Sequence, residues 1–156
     1  MPKTGFPRRV RLYELQPAEF REYLEIFSRG GVGFATPPKS VPEMLGWHNE
    51  GVVFFKVVGV GEGLENGKVV GACAMGVRNQ TVFFANQYVI PAFRGMRLGN
   101  AIIEELERKA RAAGAKFAVG NVSPRFIMQL KRMWRLGYRP AFSLPKIKGK
   151  RHVKLI

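Results

Sequence analysis

The stretch YVIPAFRGMRLGNAIIEELERKA, Tyr88–Ala110, carries an apolar run directly into an amphipathic helix and sets Arg94, Gly95, Arg97 and Gly99 at the junction. A helix start exposes unpaired backbone N–H groups and the positive end of the helix dipole. Glycine there removes the Cβ that would keep a ligand off the backbone. Arginine adds a fixed positive charge whose fork matches phosphate oxygens. Behind a strand, the combination suits a phosphate or diphosphate. The same residues also read as a tight turn with both arginines in water. Two other phosphate motifs are absent. No G-x-x-x-x-G-K-[ST] string occurs, and GVGEGL at Gly59–Leu64 lacks the G-x-G-x-x-G spacing and leads into a hairpin, not a helix.

Groups able to move a proton are few. His48 and Glu50, in WHNEG, are the candidates by residue type, although a lone histidine also fits a core edge. Cys73 lies inside an apolar strand with no base near it and reads as core. One cysteine excludes an internal disulfide, and with only two histidines it speaks against a structural zinc site.

The elements that position these residues follow from hydrophobic period. VRLYEL (10–15) alternates as a strand, and Gln16-Pro17 opens a helix bearing Phe20, Tyr23, Leu24 and Phe27 on one face. Ser40 with Glu43 caps a short helix over Val41–Leu45. VVFFKVVGV, KVVGACAMGV and TVFFANQYVI form three consecutive antiparallel strands, the first two joined through Glu65-Asn66-Gly67. A helix over Leu98–Ala113 repeats Leu98, Ile102, Leu106 and Ala110 and stops at Gly114. KFAVGNV is a buried strand. Ser123-Pro124 starts a helix with Phe126, Ile127, Leu130 and Met133 inward, and YRPAFSL and HVKLI make a last strand pair. A helix joining the fourth and fifth strands implies a right-handed crossover and one parallel pair in a mixed sheet. The 156 residues make one domain, 1–156, with no stretch long enough to cross a bilayer and no signal-peptide pattern, so the expected location is cytoplasmic.

V-I-P-A-F-R-G-M-R-L-G-N-A-I-I, following an apolar strand, resembles the coenzyme A loop of the GNAT superfamily of acyl-CoA-dependent N-acyltransferases. Val89, Pro91, Arg94 and Gly99 match that family's V-x-P-x-x-[RQ]-x-x-G-x-[GA], while Arg97 replaces its first glycine. The element order and the LGY at Leu136–Tyr138, which parallels the family's L-G-F, extend the resemblance over nearly the whole chain. It implies an α/β (α+β mixed) fold, a mostly antiparallel six- to seven-stranded sheet with helices on both faces. It implies acetyl-CoA as co-substrate, held by Gln87, Tyr88 and Val89 along the pantetheine arm. The diphosphate would lie on Gly95, Met96, Arg97, Leu98, Gly99 and Asn100, with Arg94, and Ser123 would flank the pantetheine. No metal is implied. The family's thiolate-protonating tyrosine, four residues before the L-G-F glycine, is here Met133, and Ala85, Asn86 and Gln87 stand where some relatives carry a glutamate base. The activity implied is acetyl transfer to a primary amine of a protein, a small amine or a nucleic-acid base.

The charge suggests a further partner. The net charge is +15; residues 1–77 carry +1 of it and residues 78–156 carry +14, and no residue is aspartate. Arg125, Lys131, Arg132 and Arg135 on the last helix, with Lys146, Lys148, Lys150 and Arg151 in the terminal hairpin, exceed what coenzyme A needs. Such clusters suit nucleic acid or another polyanion, and equally a solvated, solubilising face. A catalytically inactive GNAT-like module binding RNA or DNA is therefore the alternative to the enzyme. Open sheet edges allow a monomer or a homodimer.

Overall fold

The computed structural model describes residues 9–28, 37–61, 66–95, 97–122, 127–140 and 150–156, with side chains described at all of these except 121–122, 127–130, 140 and 150–153. Seven strands form one sheet in the order β1-β2-β3-β4-β5-β7-β6: β1 Arg9–Glu14, β2 Val52–Val60, β3 Val69–Arg78, β4 Thr81–Val89, β5 Phe117–Val122, β6 Arg139–Pro140 and β7 Lys150–Leu155. All neighbours run antiparallel except β4 and β5, which are parallel, as the crossover requires. Four helices complete the fold: α1 Phe20–Ser28, α2 Val41–Asn49, α3 Leu98–Ala112 and α4 Ile127–Arg135. The expected mixed α/β architecture is the one observed. Of the paired terminal strands, residues 141–149 lie outside the described residues.

The sheet separates two cores. On one face Val10, Leu12, Phe55, Val57, Cys73, Met75, Val82 and Phe84 pack against the apolar stripe of α3, Leu98, Ile102, Leu106 and Ala110, and Met133 of α4 joins them. On the other, Phe20, Tyr23 and Ile26 of α1 and Met44 of α2 cover Phe54, Ala72, Ala74 and Tyr88. α2 runs four residues past the expected end at Leu45. Ser40 caps it as anticipated, accepting from the Glu43 N–H. Beyond Leu45, Trp47 stacks 6.2 Å from Phe54 and His48 meets Phe20 edge-on at 5.5 Å, so packing carries the helix through Gly46.

Two irregularities set the geometry of β4. Val82 and Phe84 face α3, yet Tyr88 and Ile90, at the same parity, face α1 and α2. Strict alternation would put all four on one side. The reversal occurs at a bulge, where the pairing steps from Ala74↔Ala85 to Ala72↔Tyr88 and Asn86 takes a left-handed φ of 53°. A second register step lies in β3 beside Gly71, where Val57 pairs Gly71 and Val58 pairs Val69. A Cβ on Gly71 would strike the carbonyl oxygen of Tyr88 and come within 3.2 Å of its carbon. Because the obstacle is backbone, Gly71→Ala should cost about 1–3 kcal/mol by overpacking, read in urea unfolding. Gly46→Ala, where nothing lies within 4 Å of the new Cβ, should instead gain about 0.5–1 kcal/mol of helix propensity.

Candidate functional site

β4 and β5 are hydrogen-bonded neighbours only at their beginnings, Thr81–Phe83 against Phe117–Val119. Past that point β4 continues through its bulge to Val89, while Gly120, Asn121 and Val122 of β5 pair only with His152, Arg151 and Lys150 of β7. Pairing thus stops with both strands still running, which leaves a wedge lined by strand backbone. The direction of one edge is fixed. The Ile90 N–H donates to the Val70 carbonyl of β3 at 2.8 Å, so by alternation the backbone of Val89 points the other way, into the wedge. Its carbonyl accepts from Arg94 Nε at 3.0 Å, and the Arg94 guanidinium also sits 5.5 Å above the Tyr88 ring.

At the mouth of the wedge α3 begins, and no described side chain caps it. Its N-cap residue, Arg97, makes no side-chain bond to the helix, and the first turn holds no acidic residue. The first intrahelical bond runs from the Ala101 N–H to the Arg97 carbonyl. The N–H groups of Leu98, Gly99 and Asn100 therefore have no acceptor within the helix. By contrast, α2 has both its serine cap and Glu43. Arg97 holds φ 61°, ψ 22°, the left-handed conformation; for a non-glycine residue this costs roughly 1–2 kcal/mol. That conformation explains why a glycine suits the position. The side chain of Arg97 is exposed, so it adds charge at the rim without filling the loop.

Arg132 is a constituent that residue type alone did not place here. Expected on an outward basic face with Arg135 and Lys131, its guanidinium instead lies against the first turn of α3. A Cβ on Gly99 would collide with Arg132 Nη1 and stand 3.2 Å from Cζ. Lys131 and Arg135 do face outward, with Trp134 between them 44% exposed. Met133 is turned into the core, and the Arg132 side chain next to it reaches the first turn of α3 at Gly99. Arg132 Nε is buried without a hydrogen-bond partner, as is Asn100 Oδ1. Burial lowers the Arg132 pKa.

Other expected residues are placed less tellingly. Met133, where the family's tyrosine would stand, is 2% exposed, and its Cε occupies the space a Cβ on Gly120 of β5 would need. Tyr138 is buried and donates to Glu107 Oε1 at 2.9 Å, away from the wedge. Burial pushes the Cys73 thiol well up, as its place in the core requires. His48 Nδ1 lies 3.2 Å from the Val52 carbonyl at the start of β2, and Glu50 is exposed just past α2. Both are two strands from β4, and the structure does not bring them to the wedge. Gln87 is half-buried between the bulge and Val89. Met96, Ser123, Arg125, Lys146 and Lys148 lie outside the described residues, and only the backbone of Lys150 and Arg151 is described. On the other face of β4, Tyr23 of α1 donates to Asn86 Oδ1 at 3.1 Å, which pins the bulge; the Tyr88 hydroxyl, 4% exposed with its residue, has no partner. Among the described residues no three His, Cys, Asp or Glu side chains converge on a metal-sized site, and no helix is long and apolar enough to cross a membrane.

The family model described as Acetyltransferase (GNAT) family matches residues 10–138, spanning β1 through the buried tyrosine after α4. The chain belongs to the GNAT acetyltransferase family. Solved structures agree on the fold. The ribosomal-protein alanine N-acetyltransferase of Escherichia coli is 18% identical with a TM-score of 0.68, covering 92% of this chain and 89% of its own. The PaiA N-acetyltransferase of Thermoplasma acidophilum, solved with coenzyme A, is 10% identical with a TM-score of 0.69, covering 94% and 99%. A spermidine N-acetyltransferase chimera built partly from the Vibrio cholerae enzyme is 13% identical with a TM-score of 0.70, covering 94% and 95%. A comparison with curated proteins finds no match. Two of the departures from the GNAT pattern read in the sequence, Arg97 and Met133, thus have a structural description.

Proposed function

We propose that this GNAT protein transfers an acetyl group from acetyl-CoA to a primary amine. The observation that carries the reading is the wedge between β4 and β5 opening beside an uncapped α3. The residues present fit the donor. Pantetheine carries two amides, which can replace the ladder bonds that β4 and β5 do not make to each other. The free N–H groups at Leu98–Asn100, with the positive end of α3, suit a diphosphate. Acetyl-CoA supplies an activated thioester. The Val89 N–H, directed into the wedge, is positioned to stabilise the negative charge that grows on the carbonyl oxygen during attack.

In that reaction a C–N bond forms, the C–S bond breaks, the amine loses a proton and the departing thiolate gains one. Met133 can donate no proton, so water carries both transfers, and the protein contributes chiefly by holding donor and acceptor together. Gln87, Tyr88, Val89, Arg94, Gly95 and Arg97–Asn100 hold the donor in this reading. The test is coenzyme A thiol release monitored with a thiol reagent across protein, polyamine and aminoacyl acceptors. Release that depends on both protein and amine supports the reading. No release with any acceptor, together with salt-sensitive binding of RNA or DNA to the face of Lys131 and Arg135, supports the inactive module instead.

A further inference from the structure

Arg132 is a puzzle by ordinary energetics. A guanidinium is normally buried only when its donors are paired. Here the residue is half-buried, its Nε is fully buried with no acceptor, and no hydrogen bond or ion pair joins the Arg132 side chain to another described residue. It also lies beside the start of α3, whose dipole presents about half a positive charge. Two positive features thus adjoin, and the first turn of α3 supplies no acidic residue to balance them. Gly99 is what permits the approach, because any Cβ there would displace the guanidinium. The same glycine that bares the helix amides therefore also seats the arginine.

We propose that Arg132 is a diphosphate clamp: it flanks the diphosphate of the acyl donor from α4 while the α3 amides hold it from the helix end. The inference rests on the acetyl-CoA reading above and adds to it a side chain from a second element. A diphosphate offers more charge and more oxygens than one amide row can satisfy, and a guanidinium fork takes the surplus. The lowered pKa of Arg132 agrees with a cation waiting for its counter-ion.

The test titrates wild type, Arg132→Met and Arg132→Lys calorimetrically with coenzyme A and with dephospho-coenzyme A, which keeps the diphosphate but lacks the ribose phosphate. Pantetheine, which has neither, is followed by NMR shifts. For Arg132→Met we expect coenzyme A and dephospho-coenzyme A to weaken by the same factor, about 10- to 100-fold as for a charged hydrogen bond. Pantetheine should be unchanged, and lysine should restore part of the loss. The melting temperature of the ligand-free Met variant should not fall, because a buried Nε donor without an acceptor has been removed. A loss seen with coenzyme A but not with dephospho-coenzyme A would move Arg132 to the ribose phosphate and overturn the clamp. So would equal affinity in both proteins, or a lower melting temperature with parallel weakening of pantetheine. Wild type that binds none of the three overturns the acetyltransferase reading itself, an outcome distinct from a wild type that binds and a variant that binds equally well.

Discussion

Gly99→Glu should abolish coenzyme A binding while leaving the protein folded and no less stable. The position is the second residue of α3, where the N–H groups lack acceptors within the helix and the first turn holds no carboxylate. A glutamate there brings the missing anion. It can bond the free amides, interact with the helix dipole for about 0.3–1 kcal/mol, and pair with Arg132. The new Cβ displaces only the far end of the Arg132 side chain, which can rotate away. The same carboxylate then repels a diphosphate: at a separation of about 4 Å near a protein surface, one like-charge contact costs roughly 4 kcal/mol, about a thousandfold in affinity. Calorimetric titration and a melting curve on the same sample read both signs. Unchanged affinity would remove the α3 start from the donor site. Lost affinity with a collapsed melting curve would show only that Gly99 is needed for folding.

The order of elements could be read from sequence because periodicity reports burial, and burial is what strands and helices here are made of. VVFFKVVGV becomes β2 residue for residue, and α3 starts at Leu98 as its four-residue repeat predicts. What sequence could not give is the shape of β4. Val82, Phe84, Tyr88 and Ile90 read as one apolar face, and only the left-handed Asn86 turns the second pair to the opposite core. Asparagine tolerates that conformation better than most residues, yet an asparagine in a strand is too common a signal to announce a bulge. The junction at Arg94–Asn100 stands out in the sequence because glycine, proline and arginine are costly or unneeded at a helix start unless something uses them, and the donor role proposed for it starts from that. Arg97 shows the limit: residue type marks only a departure from glycine, whereas the structure gives its left-handed backbone and exposed side chain. Arg132 shows another. Helical spacing groups it with Arg135, and only the packing of the neighbouring Met133 reveals which arginine turns inward.

The second large effect concerns stability. Glu107→Ala should destabilise the protein by about 2–4 kcal/mol, a sizeable part of the 5–15 kcal/mol typical of a domain. Glu107, on α3, is 4% exposed and is the buried acid among the described residues. Oε1 accepts from the Tyr138 hydroxyl at 2.9 Å, and Lys154 Nζ of β7 reaches both oxygens at 3.1 Å; Arg111 stands 3.9 Å away. Removing the carboxylate leaves a fully buried hydroxyl without an acceptor and a lysine, only about a quarter exposed, without its counter-ion. Each orphaned group bears its own desolvation cost. Glu107→Gln should cost less, since the amide oxygen still accepts from Tyr138. The network ties α3 to β7, and β7 is the strand on which β5 depends once it leaves β4. Weakening it should therefore loosen the β5 wall of the wedge as well as the fold. Urea unfolding measures the first effect, and amide exchange at Gly120 and Asn121 measures the second. If exchange there stays at the wild-type rate while stability falls, the two halves of the sheet are less coupled than this network implies.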